Sequence, residues 1–128
     1  MNKVDPIIAV NDVPASAAWY QEVFGCTGMH GGGHFEILLD GIGEVLVCLH
    51  QWGTHEHPTM IEPVQPGNGL ILYLRTAHMK EIHENASRSE GAAPSEIYKN
   101  PNAGMREFTL RDPDGYFWIV SEAHSFGG

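Results

Sequence analysis

Cysteine, basic residues and long apolar runs are all scarce in this 128-residue sequence, and each scarcity excludes something. Cys26 and Cys48 are the two cysteines, with no second pair, so they make neither a disulfide framework nor a zinc knuckle. They read instead as reduced, partly buried thiols. No run of about 18 apolar residues occurs, which excludes a membrane-spanning helix. The opening Met1-Asn2-Lys3-Val4-Asp5-Pro6 lacks the apolar stretch of a secretory signal, so a cytoplasmic location is expected. Seven Lys and Arg stand against sixteen Asp and Glu, a formal charge of −9. With no basic cluster to neutralise phosphates, nucleic acid is not an expected partner. An acidic surface of this kind can steer small cations over about 8 Å at physiological salt, although most acidic proteins use such charge only to stay dissolved. Nucleophile elbow, P-loop and dinucleotide fingerprint are missing too. Gly31-Gly32-Gly33 joins two predicted strands and does not open a helix, so it makes no phosphate cradle.

What is present is a pattern that repeats. Pro6-Ile7-Ile8-Ala9-Val10 is a short β-branched run, followed by an N-cap carboxylate at Asp12 and a proline at Pro14 that a helix tolerates only in its first turn. A helix over 15–24 follows, with Val13, Ala17, Tyr20 and Phe24 at spacings of about four, three and four on one buried face, and Gly25 stopping it. Strands are predicted over 26–30, 34–39 and 44–50, the last two joined by Asp40-Gly41. Residues 51–66 hold Pro58, Pro63 and Pro66 without periodicity, a long connection. Beyond it come a strand over 70–75, a polar helix over 78–89, and strands over 95–99, 105–110 and 116–121, the last entered through Asp112-Pro113-Asp114-Gly115. Each half is therefore βαβββ, as a duplication would leave it. The expectation is one α+β domain over 1–128, with a first module at 1–50, the connection at 51–66, a second module at 67–123 and a tail at 124–128.

Two segments carry a resemblance. The helix-forming stretch Asn11-Asp12-Val13-Pro14-Ala15-Ser16-Ala17-Ala18-Trp19-Tyr20-Gln21-Glu22-Val23-Phe24-Gly25 resembles the first helix of the glyoxalase / bleomycin-resistance / extradiol dioxygenase (vicinal oxygen chelate) superfamily. The stretch Gly104-Met105-Arg106-Glu107-Phe108-Thr109-Leu110-Arg111-Asp112-Pro113-Asp114-Gly115-Tyr116 resembles its last hairpin. The resemblance implies paired βαβββ modules forming a cup-shaped, eight-stranded mixed sheet with helices outside, and a homodimer. In metal-using members four His, Glu or Gln ligands project inward from four strands, and the matching positions here are Asp5, Val47, Leu70 and Ile119. Three of these have no lone pair to offer, and one carboxylate does not supply the three or four donors a Zn, Ni, Fe or Mn site requires. One-residue slips admit only Cys48 as a further donor. No metal and no cofactor are expected.

Period-two alternation then puts Val47, Leu49, Leu70, Leu72, Phe117 and Ile119 on the inward surface, with Leu46, Cys48, Ile71, Trp118 and Val120 turned toward the helices. Phe35 adds a wall, and Trp52 and Met60 lie in the connection where they can close over a flat ligand. Such a surface suits a small hydrophobic or cationic molecule, held without catalysis as in the bleomycin-resistance members. No catalytic residue is assigned, although Asp5, Glu36, Glu44 and His50 are available for acid or base work. The alternatives are a lyase, isomerase or thiol transferase with a displaced metal site, and an interaction module with its cup filled. His30, His34, His50, His55 and His57 are the residues a displaced metal would use, but no helical i, i+4 spacing aims them at one point. Arg106 is expected to pair with a surface carboxylate.

Overall fold

The structure is a computed structural model, and it describes residues 3–29, 32–53, 57–62, 67, 69–101 and 104–123. The chain divides into two compact units, residues 1–66 and 67–128. Each repeats strand, helix, three strands, so the α+β class and doubled βαβββ order expected from the sequence are what the chain adopts. Among the described residues, eight strands form two four-stranded sheets. No helix among the described residues is long and apolar enough to cross a membrane.

In the first unit, β1 (Ile7–Val10) feeds α1 (Val13–Phe24), followed by β2 (Thr27–Gly28), β3 (Phe35–Leu39) and β4 (Val45–Gln51), with sheet order β1-β4-β3-β2. The helix begins at Val13, two residues ahead of the predicted 15–24, and Asp12 is the N-cap the sequence assigns. The Asp12 carboxylate accepts the Ala15 N–H at 3.0 Å, a bond worth about 1 kcal/mol to the helix. Gly25 ends it in the left-handed region at φ 75°, which a residue with a Cβ adopts only under strain. The helix buries Val13, Ser16, Ala17, Tyr20 and Val23. β1 runs parallel to β4 and β3 antiparallel to it, so Ile8, Leu49 and Glu36 lie opposite one another and share a face with Leu38 and Val47. All five are sealed from solvent, and this is the face that α1, packed on β3 and β4, covers. Glu36 is buried there without penalty to its Oε1, which accepts the backbone N–H groups of Met29 and Ile37. Gly28 stands beside it because a Cβ would come within 2.7 Å of Glu36 Oε2.

The second unit holds β5 (Leu72–Thr76), α2 (Met79–Ser87), β6 (Tyr98–Lys99), β7 (Arg106–Arg111) and β8 (Phe117–Glu122), in sheet order β5-β8-β7-β6. Its helix buries Met79, Ile82 and Ala86 and lays the His83 ring edge-on against Phe108, centroids 4.7 Å apart. That contact identifies the helix side. Phe108 lies opposite Val120, Leu110 opposite Trp118, and Leu72 opposite Trp118, so these apolar residues pack under α2. The hairpin between β7 and β8 is fixed by Asp112, whose buried Oδ1 accepts the N–H groups of Asp114 at 2.9 Å and Tyr116 at 2.8 Å. Gly115 takes φ 93° as the chain turns into β8.

Candidate functional site

Each sheet has one face under its helix and one face free of it. In the first unit the helix-free face carries Ile7, Ala9, Phe35, Ile37, Cys48 and His50, by the same registers that place Val47 and Leu49 on the other side. Phe35 and Ile37 are half-buried. The His50 ring sits with its centroid 6.0 Å from Phe35 and 5.0 Å from His57, and its Nδ1 lies 3.0 Å from the Gln51 carbonyl oxygen. The connection folds back here. Trp52 N–H donates to Val10 O at 3.2 Å and Gly53 N–H to Met60 O at 2.9 Å, which brings half-buried Met60 next to Gly53, the neighbour of half-buried Trp52.

In the second unit the helix-free face carries Tyr73 and Arg75 from β5, Phe117, Ile119 and Ser121 from β8, Glu107, Thr109 and Arg111 from β7, and Tyr98 from β6. Phe117 and Ile119 are half-buried, with the Arg111 guanidinium 5.2 Å from the centre of the Phe117 ring. The centre of this face is polar. Glu107, 2% exposed, accepts at Oε1 from the Tyr98 hydroxyl at 2.9 Å and from Asn100 Nδ2 at 3.1 Å. Burial, then the bond to Glu107, raises the Tyr98 phenol above its ordinary range. The sequence gives Glu107 no distinguishing signal, because in β7 it stands among Arg106, Thr109 and Arg111, where an acidic residue looks like a solvent-facing one.

The expected inward set is thus split. Phe35, Phe117 and Ile119 lie on helix-free faces, and Trp118 and Val120 on the helix side. Val47, Leu49 and Leu72 are corrected: all three point under the helices, while Cys48, expected under a helix, faces the free side. Leu70 joins no strand; it is exposed, two residues ahead of β5, in a turn closed by its N–H on Gly67 O at 3.0 Å. The physical reason is the same at both strands. Val45-Leu46-Val47-Cys48-Leu49 and Leu70-Ile71-Leu72-Tyr73-Leu74 are continuous apolar runs, in which period two leaves no trace of facing.

The resemblance implies ligand positions at Asp5, Val47, Leu70 and Ile119, with Cys48 the one further donor a one-residue slip admits. Asp5 is already 3.8 Å from Lys3 Nζ. Burial, then the charge of Asp5, raises the Cys48 thiol above its ordinary range. One carboxylate and one thiol do not fit a divalent ion, and among the described residues no group of three His, Cys, Asp or Glu is placed to hold one. His34 is engaged at Nδ1 with Gln51 Oε1, 2.8 Å away; His30 and His55 lie outside the described residues. The other thiol, Cys26, is pushed up to about 11 by burial. At pH 8 only about one Cys26 thiol in a thousand is ionised, so iodoacetamide is expected to label neither cysteine in the folded protein and both in urea. Rapid labelling of native Cys26 would contradict its burial.

Elsewhere in the second unit an open depression of about 440 Å³ lies at the start of α2, lined by Thr76, His78, Lys80, Glu81, Arg106 and Glu122. Its arginine is taken: Arg106 Nε lies 3.4 Å from Glu122 Oε1, the surface pair expected from the sequence, and the Arg106 N–H bond to Glu122 holds that carboxyl below the usual range.

No family model and no curated protein matches the sequence. Solved structures do. A protein of unknown function from Agrobacterium tumefaciens is similar at 23% identity and TM-score 0.74, over 97% of this chain and 95% of that one. A bleomycin resistance determinant encoded on the transposon Tn5 is similar at 14% identity and TM-score 0.68, over 98% of this chain and 100% of that one. A lactoylglutathione lyase from Agrobacterium tumefaciens is similar at 19% identity and TM-score 0.69, over 99% of this chain and 97% of that one. The fold is therefore that of the glyoxalase / bleomycin-resistance (vicinal oxygen chelate) proteins.

Proposed function

We propose that this protein binds a small, planar hydrophobic or cationic molecule and holds it without transforming it. The observation that carries the reading is that the helix-free faces keep large apolar and aromatic side chains half-buried, Phe35 and Ile37 in one unit and Phe117 and Ile119 in the other. Those faces offer flat hydrocarbon to a ligand. At the positions where the resemblance implies metal ligands, the three apolar residues Val47, Leu70 and Ile119 stand beside a single carboxylate, Asp5, which favours holding over metal-assisted chemistry. The similarity to a bleomycin resistance determinant supports the same side of the choice. The reading includes a homodimer in the cytoplasm.

A panel of planar aromatic antibiotics is expected to quench tryptophan fluorescence saturably, and Trp52→Ala to weaken that binding by about 1 to 3 kcal/mol. Native mass spectrometry of freshly purified protein is expected to show a dimer carrying no stoichiometric metal. A chelator-sensitive isomerase or lyase activity would replace this reading with an enzymatic one.

A further inference from the structure

The helix-free face of the second unit contains a feature that hydrocarbon binding does not use. One cross-strand row runs through all four strands: Arg75 opposite Ser121, Ser121 opposite Glu107, Glu107 opposite Tyr98. At its centre, Glu107 Oε2 and Ser121 Oγ are both buried, and neither has a hydrogen-bond partner among the described residues. The two donors that Glu107 does have, the Tyr98 hydroxyl and the Asn100 amide, are neutral and both go to Oε1. A buried carboxylate with one bare oxygen costs free energy unless a donor reaches it, and a cationic donor offsets most. Arg75 stands at the end of the row, two strand spacings or about 10 Å from Glu107.

We infer that Glu107 Oε2 and Ser121 Oγ form an anchor for the ammonium group of a primary amine whose body is planar and apolar. A primary ammonium has three N–H donors on a slender stem, enough to serve both oxygens at once. Tyr73 and Tyr98, 37% and 40% exposed, flank the pair and offer ring faces to the cation and to the flat body beyond it. Ile119, beside Ser121's strand neighbour on the same face, continues the apolar surface. This inference rests on the small-molecule reading above and gives it a charge preference. The competing occupant of the pair is a water molecule, which would confer no such preference.

The test uses the full-length protein and three probes of one shape: benzylamine, benzyl alcohol and benzoate, titrated at pH 7 and followed by amide chemical shifts. Benzylamine is expected to bind about tenfold more tightly than benzyl alcohol, with benzoate weakest and the shifts centred on residues 106–111 and 117–122. Glu107→Gln is expected to bring the benzylamine and benzyl alcohol constants to within about twofold by weakening benzylamine alone. Equal binding of the two probes by the wild-type protein overturns the anchor and leaves the small-molecule reading standing. Failure of these probes and of the aromatic panel alike removes both. Should Glu107→Gln fail to fold, Ser121→Ala keeps the carboxylate and removes one acceptor; an unchanged preference for benzylamine in that variant overturns the pairing of the two residues.

Discussion

Val47→Asp is expected to leave the chain largely unfolded at 25 °C, whereas Ile119→Asp stays folded. The two residues occupy equivalent places in an alternation read from sequence, yet one is sealed under α1 and the other is half-buried on a helix-free face. A carboxylate at Val47 would sit among Leu38, Leu49 and Ile8 with no donor on that apolar patch, a cost of about 4 kcal/mol or more. For a domain of this size at the lower end of the usual 5 to 15 kcal/mol, a loss of about 4 kcal/mol or more removes nearly all of the margin. At Ile119 the carboxylate can turn toward water, and the loss is about 1 kcal/mol. Urea titrations followed by circular dichroism give both numbers. Equal losses would mean that Val47 faces the open side after all, and the registers assigned to β4 would have to move by one residue.

That contrast marks where the sequence stops being legible. Elements with local chemistry could be placed: Asp12, Pro14 and Gly25 bracket α1, and Asp112 with Gly115 turns β7 into β8, because caps and turns need particular side chains at particular positions. Facing on the central strands could not be placed. Val47, Cys48, Leu49 and His50 are all buried, so both faces of β4 select bulky residues and alternation vanishes. β3 misleads in the opposite way, since Glu36 looks like a solvent-facing residue and is buried under the helix on backbone donors. A bulge between Leu38 and Leu39, where the partner skips from Val47 to Val45, shifts the parity once more. The polar centre of the second face escaped for a different reason: Glu107 and Ser121 lie 14 positions apart, and only the antiparallel register brings them opposite each other.

Phe108→Ala is the other substitution with a large expected effect, a loss of about 3 to 5 kcal/mol. Phe108 is completely buried on β7, and its ring supports α2 through the edge-on contact with His83. His83 is fixed independently, with its Nε2 2.8 Å from the Ser95 carbonyl oxygen, so it cannot swing into the space the ring leaves. The cavity therefore stays open, and both the transfer free energy of the ring and an aromatic pair worth about 1 kcal/mol are lost. Phe108→Leu refills most of the volume and is expected to cost no more than about 1.5 kcal/mol. Alternation turns Glu107 to the opposite face from Phe108, so the folded fraction of Phe108→Leu should bind benzylamine within about twofold of the wild-type protein. Urea midpoints for the two variants, read with their slopes, separate packing from a change in the unfolded chain. A loss below about 1 kcal/mol in Phe108→Ala would show that α2 is held on its sheet by something other than this ring, and a collapse of benzylamine binding in Phe108→Leu would show that the two faces of β7 are coupled.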